Sequence, residues 1–497
     1  MVVLLGCFTL LFAQLNRVQL FDAEALENNP ANTRAAQRDF DQERARILTS
    51  DGVEVAVSVL VDDGPFRWQR AYPHNDLYAH TAGYVSFTVG AEGAERSYDD
   101  EIVGRTAGQE IAELTNVLNP NSDPGSVILT LRHDLQQVAK QQLGERPGSV
   151  VALDPRTGAV LAMWSWPSFD PNTVANINSA ESNEAYSALL ETEGNPLRAR
   201  AFRDIKPPGS TFKVITAAAA LESGHATLDE PVFEATTSYT SPLTTHAISN
   251  FGGRECGGNL VELLVRSCNA PFAQLAAETL GPFIMVNQAE AAGFNSVPPF
   301  DLVGGVSSVY PTDYGAQLQS PSEVSPAGLF EDTPLLAQTA IGQNNVAATP
   351  LQMALMIAGV ANNGIVPSPH VMAEVSDANG QVVDRIEPEP WRSTMREENA
   401  RILQQALIEA GQRGSGTAAT VEGLVVGVKT GTAQIGGDPP KSHAWIVGFA
   451  GRPGEEFEIA VAVLVEGEQA DGDQTGGRVA GPIARELFTT YFSDTSG

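Results

Sequence analysis

The region after residue 125 begins and ends with strand-like sequence and has Ala-rich helical sequence between. Near its beginning, SVVALD and AVLAMW flank a Pro-Arg-Thr-Gly turn at 155–158, which is the pattern of a β-hairpin. Near its end lie three strand-like apolar runs, at 424–428, 444–451 and 459–467. The helical runs stand between these groups, at 213–222 and 351–361. This order predicts an α+β fold in which one antiparallel sheet is built from both ends of the domain and is flanked by helices.

The N-terminus is apolar but short. The segment from Met1 to Leu15 carries no charged residue. A bilayer-spanning helix needs about 20 residues, and basic residues are expected on its cytoplasmic side. The segment is therefore typical either of a signal peptide or of a membrane anchor with a truncated start. We expect residues 1–17 to be an uncleaved single-pass anchor in the cytoplasmic membrane, with the rest of the chain extracytoplasmic.

Two domains are expected after the anchor. Residues 52–62 and 83–90 alternate between apolar and polar side chains, which predicts strands in a small α+β domain. The stretch NPNSDPG at 119–125 has the composition of a boundary. We therefore place a small N-terminal domain at 18–125 and the larger domain at 126–497.

The charge of the chain excludes one class of partner. It has 60 acidic and 30 basic residues, a formal net charge of −30. Such an excess repels the phosphate backbone of nucleic acids, so we expect no nucleic-acid partner. No metal-ligand spacing, phosphate loop or nucleotide fingerprint is found in the sequence, and we expect neither a metal nor another cofactor.

Two cysteines, Cys256 and Cys268, lie close together in the region after residue 125. Their spacing matches no C-x-x-C metal or redox pattern. A disulfide between them is permitted if the domain is extracytoplasmic, and two free buried thiols are the alternative.

Ser210 and Lys213 form the first chemical motif. Pro-Pro-Gly precedes Ser-Thr-Phe-Lys, which runs into the Ala-rich helix, so Ser210 is expected at or near a helix N-terminus. At positions i and i+3, the two side chains share one face of the helix. A serine hydroxyl becomes a nucleophile when a base lies within hydrogen-bond reach, and a neutral lysine can be that base. The chain contains only five lysines, and S-x-x-K alone is a weak signal.

Two further motifs follow in the sequence. Ser267 and Asn269 form an S-x-N, and a K-T-G-T run ends a strand-like segment: Lys429, Thr430, Gly431 and Thr432. Lysine and threonine can hold a carboxylate, and glycine at a strand edge permits close approach of a substrate backbone. An extended peptide can then pair with that edge.

In this order, the three motifs resemble the signature of penicillin-binding proteins and serine β-lactamases. GSVVALDPRTGAVLAMWSWPSFDPN resembles the start of the transpeptidase domain of class B penicillin-binding proteins, FRDIKPPGSTFKVITAAAALE is similar to its active-site helix, and TAIGQNNVAATPLQMALMIAGVANNG to a later helical region. RSYDDEIVG, at 96–104, is most similar to the actinobacterial branch called penicillin-binding protein A. The resemblance covers nearly all of the chain after the anchor.

The resemblance implies a β-lactamase/transpeptidase-like fold after a dimerisation or pedestal-like N-terminal domain, and an acyl-serine D,D-transpeptidase activity. It implies peptidoglycan stem peptides as substrates, β-lactams as covalent inhibitors, and a membrane glycan polymerase as a partner. The implied roles are nucleophile for Ser210 and base for Lys213, with Ser267, Asn269 and Lys429 as further catalytic groups. The implied substrate-binding residues are Thr430, Gly431 and Thr432.

Some alternatives remain open from the sequence. A D,D-carboxypeptidase differs only in its acyl acceptor, and a β-lactamase needs a deacylating base, such as a glutamate. A non-catalytic cell-wall scaffold or β-lactam sensor is the rival of a different class. His443, just after the K-T-G strand, is expected either to line the cleft or to be a turn histidine.

Overall fold

The computed structural model describes residues 40–62, 65–105, 124–323, 325–436, 441–467 and 475–493, with isolated positions 6 and 14. The predicted anchor therefore lies outside the described residues, except for those two positions. Within the described ranges, no helix is both long and apolar enough to cross a membrane.

A five-stranded antiparallel sheet joins the two ends of the larger domain, as predicted. Its strands are β5 (Gly148–Leu153), β6 (Val160–Trp166), β9 (Val425–Gly436), β10 (Lys441–Gly451) and β11 (Phe457–Val465). Their order is β9-β10-β11-β5-β6, so the last strand of the chain pairs directly with the first hairpin of the domain. This arrangement makes β9, which carries the K-T-G motif, an edge strand.

A second sheet is built mainly from the N-terminal part of the chain. Its strands are β1 (Arg46–Leu48), β2 (Glu54–Leu60), β3 (Trp68–Ala71), β4 (Ser126–Leu129), β7 (Met372–Ser376) and β8 (Val382–Arg385). Their order in the sheet is β8-β7-β4-β1-β2-β3. Because β7 and β8 come from the middle of the larger domain, this sheet crosses the sequence boundary that we placed at 125/126.

Ten α-helices of five or more residues surround the sheets in the described ranges, together with shorter helical turns. The helices are α1 (His133–Leu143), α2 (Ser179–Glu191), α3 (Lys213–Glu222), α4 (Leu260–Arg266), α5 (Ala270–Gln274), α6 (Gly281–Ala291), α7 (Thr333–Thr339), α8 (Pro350–Ala361), α9 (Glu397–Arg413) and α10 (Gly481–Ser493). The turn Gly209–Phe212 is a 3-10 helix, and further one-turn helices and two-stranded ribbons connect these elements.

Two hydrophobic cores lie on opposite faces of the five-stranded sheet, because successive strand residues point to opposite sides. On β5, Val150 faces the layer of α1 and α10, whereas Val151 faces the layer that holds α3 and α8. Every residue of α8 is buried, so this helix is apolar on all sides and forms the centre of its layer. The elements α3 and β9, which carry Lys213 and the K-T-G motif, therefore rest on a well-packed layer.

Candidate active site

Ser210 sits on the 3-10 turn that leads directly into α3. Gly209 enters this turn with φ of 54°, a left-handed conformation that glycine adopts readily. The Gly209 amide donates to the Gly342 carbonyl at 2.9 Å, which fixes the start of the turn. Ser210 lines an open cleft, and among the described residues its hydroxyl has no hydrogen-bond partner.

Lys213 is fully buried one turn after Ser210. Its Nζ donates to the Ser267 carbonyl at 2.8 Å and to Asn269 Oδ1 at 2.6 Å. A neutral amine has two N–H donors and one lone pair. The two contacts use both donors, so the lone pair is left to accept a proton.

Ser267 ends α4 in a left-handed conformation, with φ of 57°. This turn brings its hydroxyl between the two lysines of the motifs. Lys429 Nζ lies 2.7 Å from Ser267 Oγ and 3.0 Å from the Thr430 carbonyl, and Lys213 Nζ lies 3.4 Å from the same Oγ. Because Ser267 Oγ accepts from Lys429, its own hydrogen is free to be donated elsewhere.

Burial changes the acidity of both lysines. The pKa of Lys213 is lowered well below 10.5, first by desolvation and then by repulsion from Lys429. Desolvation also lowers the pKa of Lys429, to about 7. Since two adjacent buried cations repel each other, the favoured arrangement has a neutral Lys213 beside a protonated Lys429.

The edge strand β9 forms one wall of the cleft. Alternate residues Thr430, Thr432 and Gln434 line it, as the two-residue period of a strand requires. The Thr430 hydroxyl shares a hydrogen bond with Ser415. The cleft has a volume of about 790 Å³ and contains Ser210, Ser267 and Asn269 on its other walls. The structure thus brings together the three motifs, which are separated in sequence.

Comparisons with known proteins agree with this geometry. The sequence matches the penicillin binding protein transpeptidase domain over residues 148–489 and the penicillin binding protein A dimerisation domain over residues 44–128. The whole chain is 34% identical to peptidoglycan D,D-transpeptidase PbpA of Mycolicibacterium smegmatis, covering 98% of that protein. The chain belongs to the penicillin-binding protein transpeptidases.

Related structures place the fold in the same family. The structure of penicillin-binding protein A from M. tuberculosis, as its ceftriaxone acyl-enzyme complex, has a TM-score of 0.80 at 32% identity, with 91% of this chain and 99% of that one covered. The penicillin G acyl-enzyme complex of that protein has a TM-score of 0.78. Both the predicted family and the predicted fold class of the domains after the predicted anchor are confirmed.

His443 occupies neither of the two positions expected for it. It lies within β10 opposite Ala433, is buried, and is not among the residues that line the cleft. Its Nδ1 accepts the Gly467 amide at 3.2 Å, and desolvation lowers the pKa of His443 to about 4. The ring is therefore neutral and serves to satisfy a backbone donor behind the site.

Several cleft residues of this penicillin-binding protein were missed in the sequence. They are Gln434, Ser415 and the Thr475–Gly476–Gly477 segment. A Cβ on Gly476 would lie 1.9 Å from the Trp445 carbonyl on β10 and 2.6 Å from the Gly431 carbonyl on the K-T-G strand, so only glycine allows this close approach. In the sequence, the Gly-Gly pair at 476–477 is the feature that indicates a close backbone contact. Which strands it contacts is not evident without the fold.

Cys256 and Cys268 are joined by a disulfide, with their Cα atoms 5.6 Å apart. Cys268 is the central residue of the S-x-N motif, so the bond connects this motif to the strand at Cys256–Gly258. Both sulfurs are buried. In the part of the chain that the structure describes, no group of three or more metal-ligating side chains is found.

We expect loss of this disulfide to affect both stability and activity. Replacing both cysteines by serine should lower the free energy of unfolding by about 3 kcal/mol, since the bond closes a short loop. Acylation by penicillin should slow several-fold, because Ser267 and Asn269 then lose their support. Chemical denaturation and acylation rates measure the two effects. An unchanged acylation rate would mean that hydrogen bonds alone hold the loop.

Proposed function

We propose that this chain is an acyl-serine peptidoglycan D,D-transpeptidase that β-lactams inhibit covalently. The observation that carries the proposal is that Ser210 and Ser267 line one cleft beside an edge strand, while the buried Lys213 and Lys429 both contact Ser267. Burying a lysine costs free energy, and two adjacent buried lysines with lowered pKa values are typical of a catalytic site.

In the first step, Ser210 Oγ attacks the carbonyl of the penultimate D-Ala of a stem peptide. Neutral Lys213 accepts the hydroxyl proton on its lone pair. The backbone N–H groups of Ser210 and Thr432 stabilise the oxyanion, each donor contributing roughly 3 kcal/mol. Ser267, which accepts from Lys429, donates its hydrogen to the departing amine of the terminal D-Ala. An acyl-enzyme remains.

In the second step, an amine of another stem peptide attacks the acyl-enzyme. The attacking amine loses one proton to Ser267 Oγ, which restores the hydrogen that Ser267 donated in the first step, and the new peptide bond forms. Lys213 returns its proton to Ser210 Oγ as the ester bond breaks. The terminal carboxylate of the donor peptide interacts with Lys429 and Thr430, and the peptide backbone pairs with the free edge of β9. Asn269 positions the substrate amide, while its Oδ1 orients Lys213.

The cleft also favours a transpeptidase over a β-lactamase. Among the described residues that line it, none is aspartate or glutamate. A hydrolytic deacylation needs a base that activates water, and a carboxylate is the usual choice. Since such a base is absent from this part of the cleft, a penicillin bound to Ser210 should leave slowly.

The remaining proposals concern location and partners. We infer that residues 1–17 anchor the chain in the cytoplasmic membrane, with the catalytic domain outside it. Residues 18–125 are proposed to form a non-catalytic domain that contacts a membrane glycan polymerase. The support for these proposals is the apolar N-terminus together with the match to the dimerisation domain.

The proposed function is tested by incubating the protein with a fluorescent penicillin and following the bound label for hours. We expect a stable label in the wild type and none in Ser210→Ala. Label that disappears within minutes would favour a β-lactamase, and a wild type that never labels would favour a scaffold. A stem pentapeptide, with and without an amine acceptor, then separates cross-linking from carboxypeptidase activity.

A further inference from the structure

The charge of the cleft is opposite to that of the chain. Among the described residues that line it, the charged side chains are Arg254 and Arg266, although acidic residues outnumber basic ones two to one in the sequence. Lys213 and Lys429 lie beneath the same surface. A cleft with one sign of charge concentrates ligands of the opposite sign, and here those ligands are anions.

Neither arginine is neutralised by a carboxylate in the described part of the structure. Arg266 is the last residue of α4, directly before Ser267, and its guanidinium donates to the Glu255 carbonyl. Arg254 follows the turn Phe251–Gly253. Both guanidinium groups therefore retain donors for a ligand in the cleft.

The loop that carries Arg254 is held rigidly against the S-x-N motif. The buried Asn250 side chain donates to the Thr236 and Arg254 carbonyls, at 2.6 and 3.1 Å. Its Oδ1 accepts the Asn269 and Ala270 amides, at 2.8 and 2.9 Å. The disulfide from Cys256 provides a covalent connection to the same motif. Such support is typical of a preorganised binding surface rather than of a mobile loop.

Phe251 adds an apolar contact at this wall. Its side chain lines the cleft and is 62% exposed, which is unusual for a large aromatic residue. An exposed aromatic ring in the same cleft as two guanidinium groups that have no carboxylate partner among the described residues suits a ligand that has both methylene groups and a carboxylate.

We propose that Arg254 and Arg266 bind a second carboxylate of the stem peptide, separate from the terminal carboxylate held near Lys429. This inference rests on the proposed function and names its substrate class: peptides whose diamino-acid residue keeps a free carboxylate. Peptides in which that carboxylate is amidated, or which carry lysine instead, are poorer substrates. Phe251 packs against the methylene chain of the same residue.

The test compares three stem peptides that differ only in the diamino-acid residue: diaminopimelate, its amide, and lysine. Each is tried as the acyl donor alone, by release of D-Ala, and as the amine acceptor, by formation of the cross-link. The two assays distinguish a donor from an acceptor carboxylate. In at least one of the two assays, we expect the free-acid peptide to react about tenfold faster than the amide, which is the effect of one charge-assisted hydrogen bond.

For each variant, the rate with the free-acid peptide is then divided by the rate with the amide. This ratio should fall towards one in Arg254→Gln and Arg266→Gln, stay near the wild-type value in Arg254→Lys, and be unaffected in Arg401→Gln, a matched exposed arginine on α9. Because the ratio is taken within each variant, a general loss of activity does not change it. An equal rate for acid and amide in the wild type, or an unchanged ratio in the Arg254→Gln, Arg266→Gln double variant, would overturn the proposal.

Calorimetry on Ser210→Ala separates this inference from the proposed function. That variant cannot form an acyl-enzyme, so it reports recognition alone. Tighter binding of the free-acid peptide supports the carboxylate site even if the wild type fails to cross-link. Equal binding of acid and amide, together with normal penicillin labelling of the wild type, would reject the carboxylate site and leave the transpeptidase proposal intact.

Discussion

Replacing Lys213 by methionine is expected to slow penicillin acylation of Ser210 by about three powers of ten, because a general base contributes roughly 10²–10⁴-fold. Methionine is unbranched and fills a buried lysine site without a charge. The variant therefore loses the base and keeps the packing. The measurement is the second-order rate constant for labelling with fluorescent penicillin.

Lys140→Met is the matched control. Lys140 lies on α1, near the opposite edge of the sheet from β9, where it forms an ion pair with Asp76. The Lys140→Met variant should therefore be acylated at the wild-type rate. A wild-type rate in Lys213→Met would show that another group removes the proton, and the assigned role of Lys213 would then be wrong.

The acidity of the two lysines also predicts a pH dependence. The acylation rate should rise with pH as Lys213 loses its proton, and fall again as Lys429, with a pKa of about 7, loses the charge that holds the substrate carboxylate. A bell-shaped profile of kcat/KM is expected, with its descending limb near pH 7. In Lys429→Arg, whose charge is retained, that limb should be absent.

The same groups make stability depend on pH. Their pKa values are lower in the folded protein than in the unfolded chain, so the unfolded chain binds more protons. The free energy of unfolding should therefore rise as the pH is raised from about 7 towards 10.5. Thermal melts of the wild type and Lys213→Met across this range measure the effect, which should be smaller in the variant.

The sequence was sufficient to predict the parts of the site that lie in local patterns. The Ala-rich helix after Ser210 and the hairpin at 148–166 appear with nearly the expected bounds, because each has a strong periodicity or propensity of its own. The strand predicted at 424–428 begins as expected but continues to Gly436, so the K-T-G motif lies within the strand and not at its end. The convergence of the motifs followed from the resemblance rather than from spacing.

Other features depend on contacts between distant parts of the chain. The buried His443 ring accepts a hydrogen bond from the backbone amide of Gly467, which lies 24 positions later in the sequence. The pairing of β4 with β7 joins residues about half the chain apart, so the run at 126–131 belongs to the N-terminal sheet rather than to the catalytic one. Patterns within one segment contain no information about such partners.

Gly431 has a packing role in addition to the role that the sequence predicts. The sequence predicts that this glycine lets a substrate approach the strand edge. In the structure, a Cβ at Gly431 would lie 2.7 Å from the Pro208 carbonyl and 3.0 Å from Thr211 Cγ2. The glycine therefore allows the turn that carries Ser210 to pack directly on β9. From the other side, a Cβ at Gly209 would lie 2.8 Å from the Thr432 carbonyl.

This contact gives the second large prediction. Gly431→Val should lower the rate of penicillin acylation by about 10²-fold, since a displacement of about 1 Å at a reacting group has an effect of that size. The added side chain must push the turn away from β9, which separates the two proposed oxyanion donors, the N–H groups of Ser210 and Thr432. The measurements are the acylation rate and a thermal melt that verifies folding.

Gly305→Ala is the control, because a Cβ there meets only Val297 Cγ1, at the ordinary distance of 3.7 Å. It should acylate at the wild-type rate. If Gly431→Val is folded and also acylates normally, the spacing between the turn and the strand does not set the oxyanion geometry. The glycine would then matter for peptide binding alone, and the variant would lose cross-linking of stem peptides while it kept its reaction with penicillin. Measuring both reactions on one preparation therefore decides which surface of β9 requires the glycine.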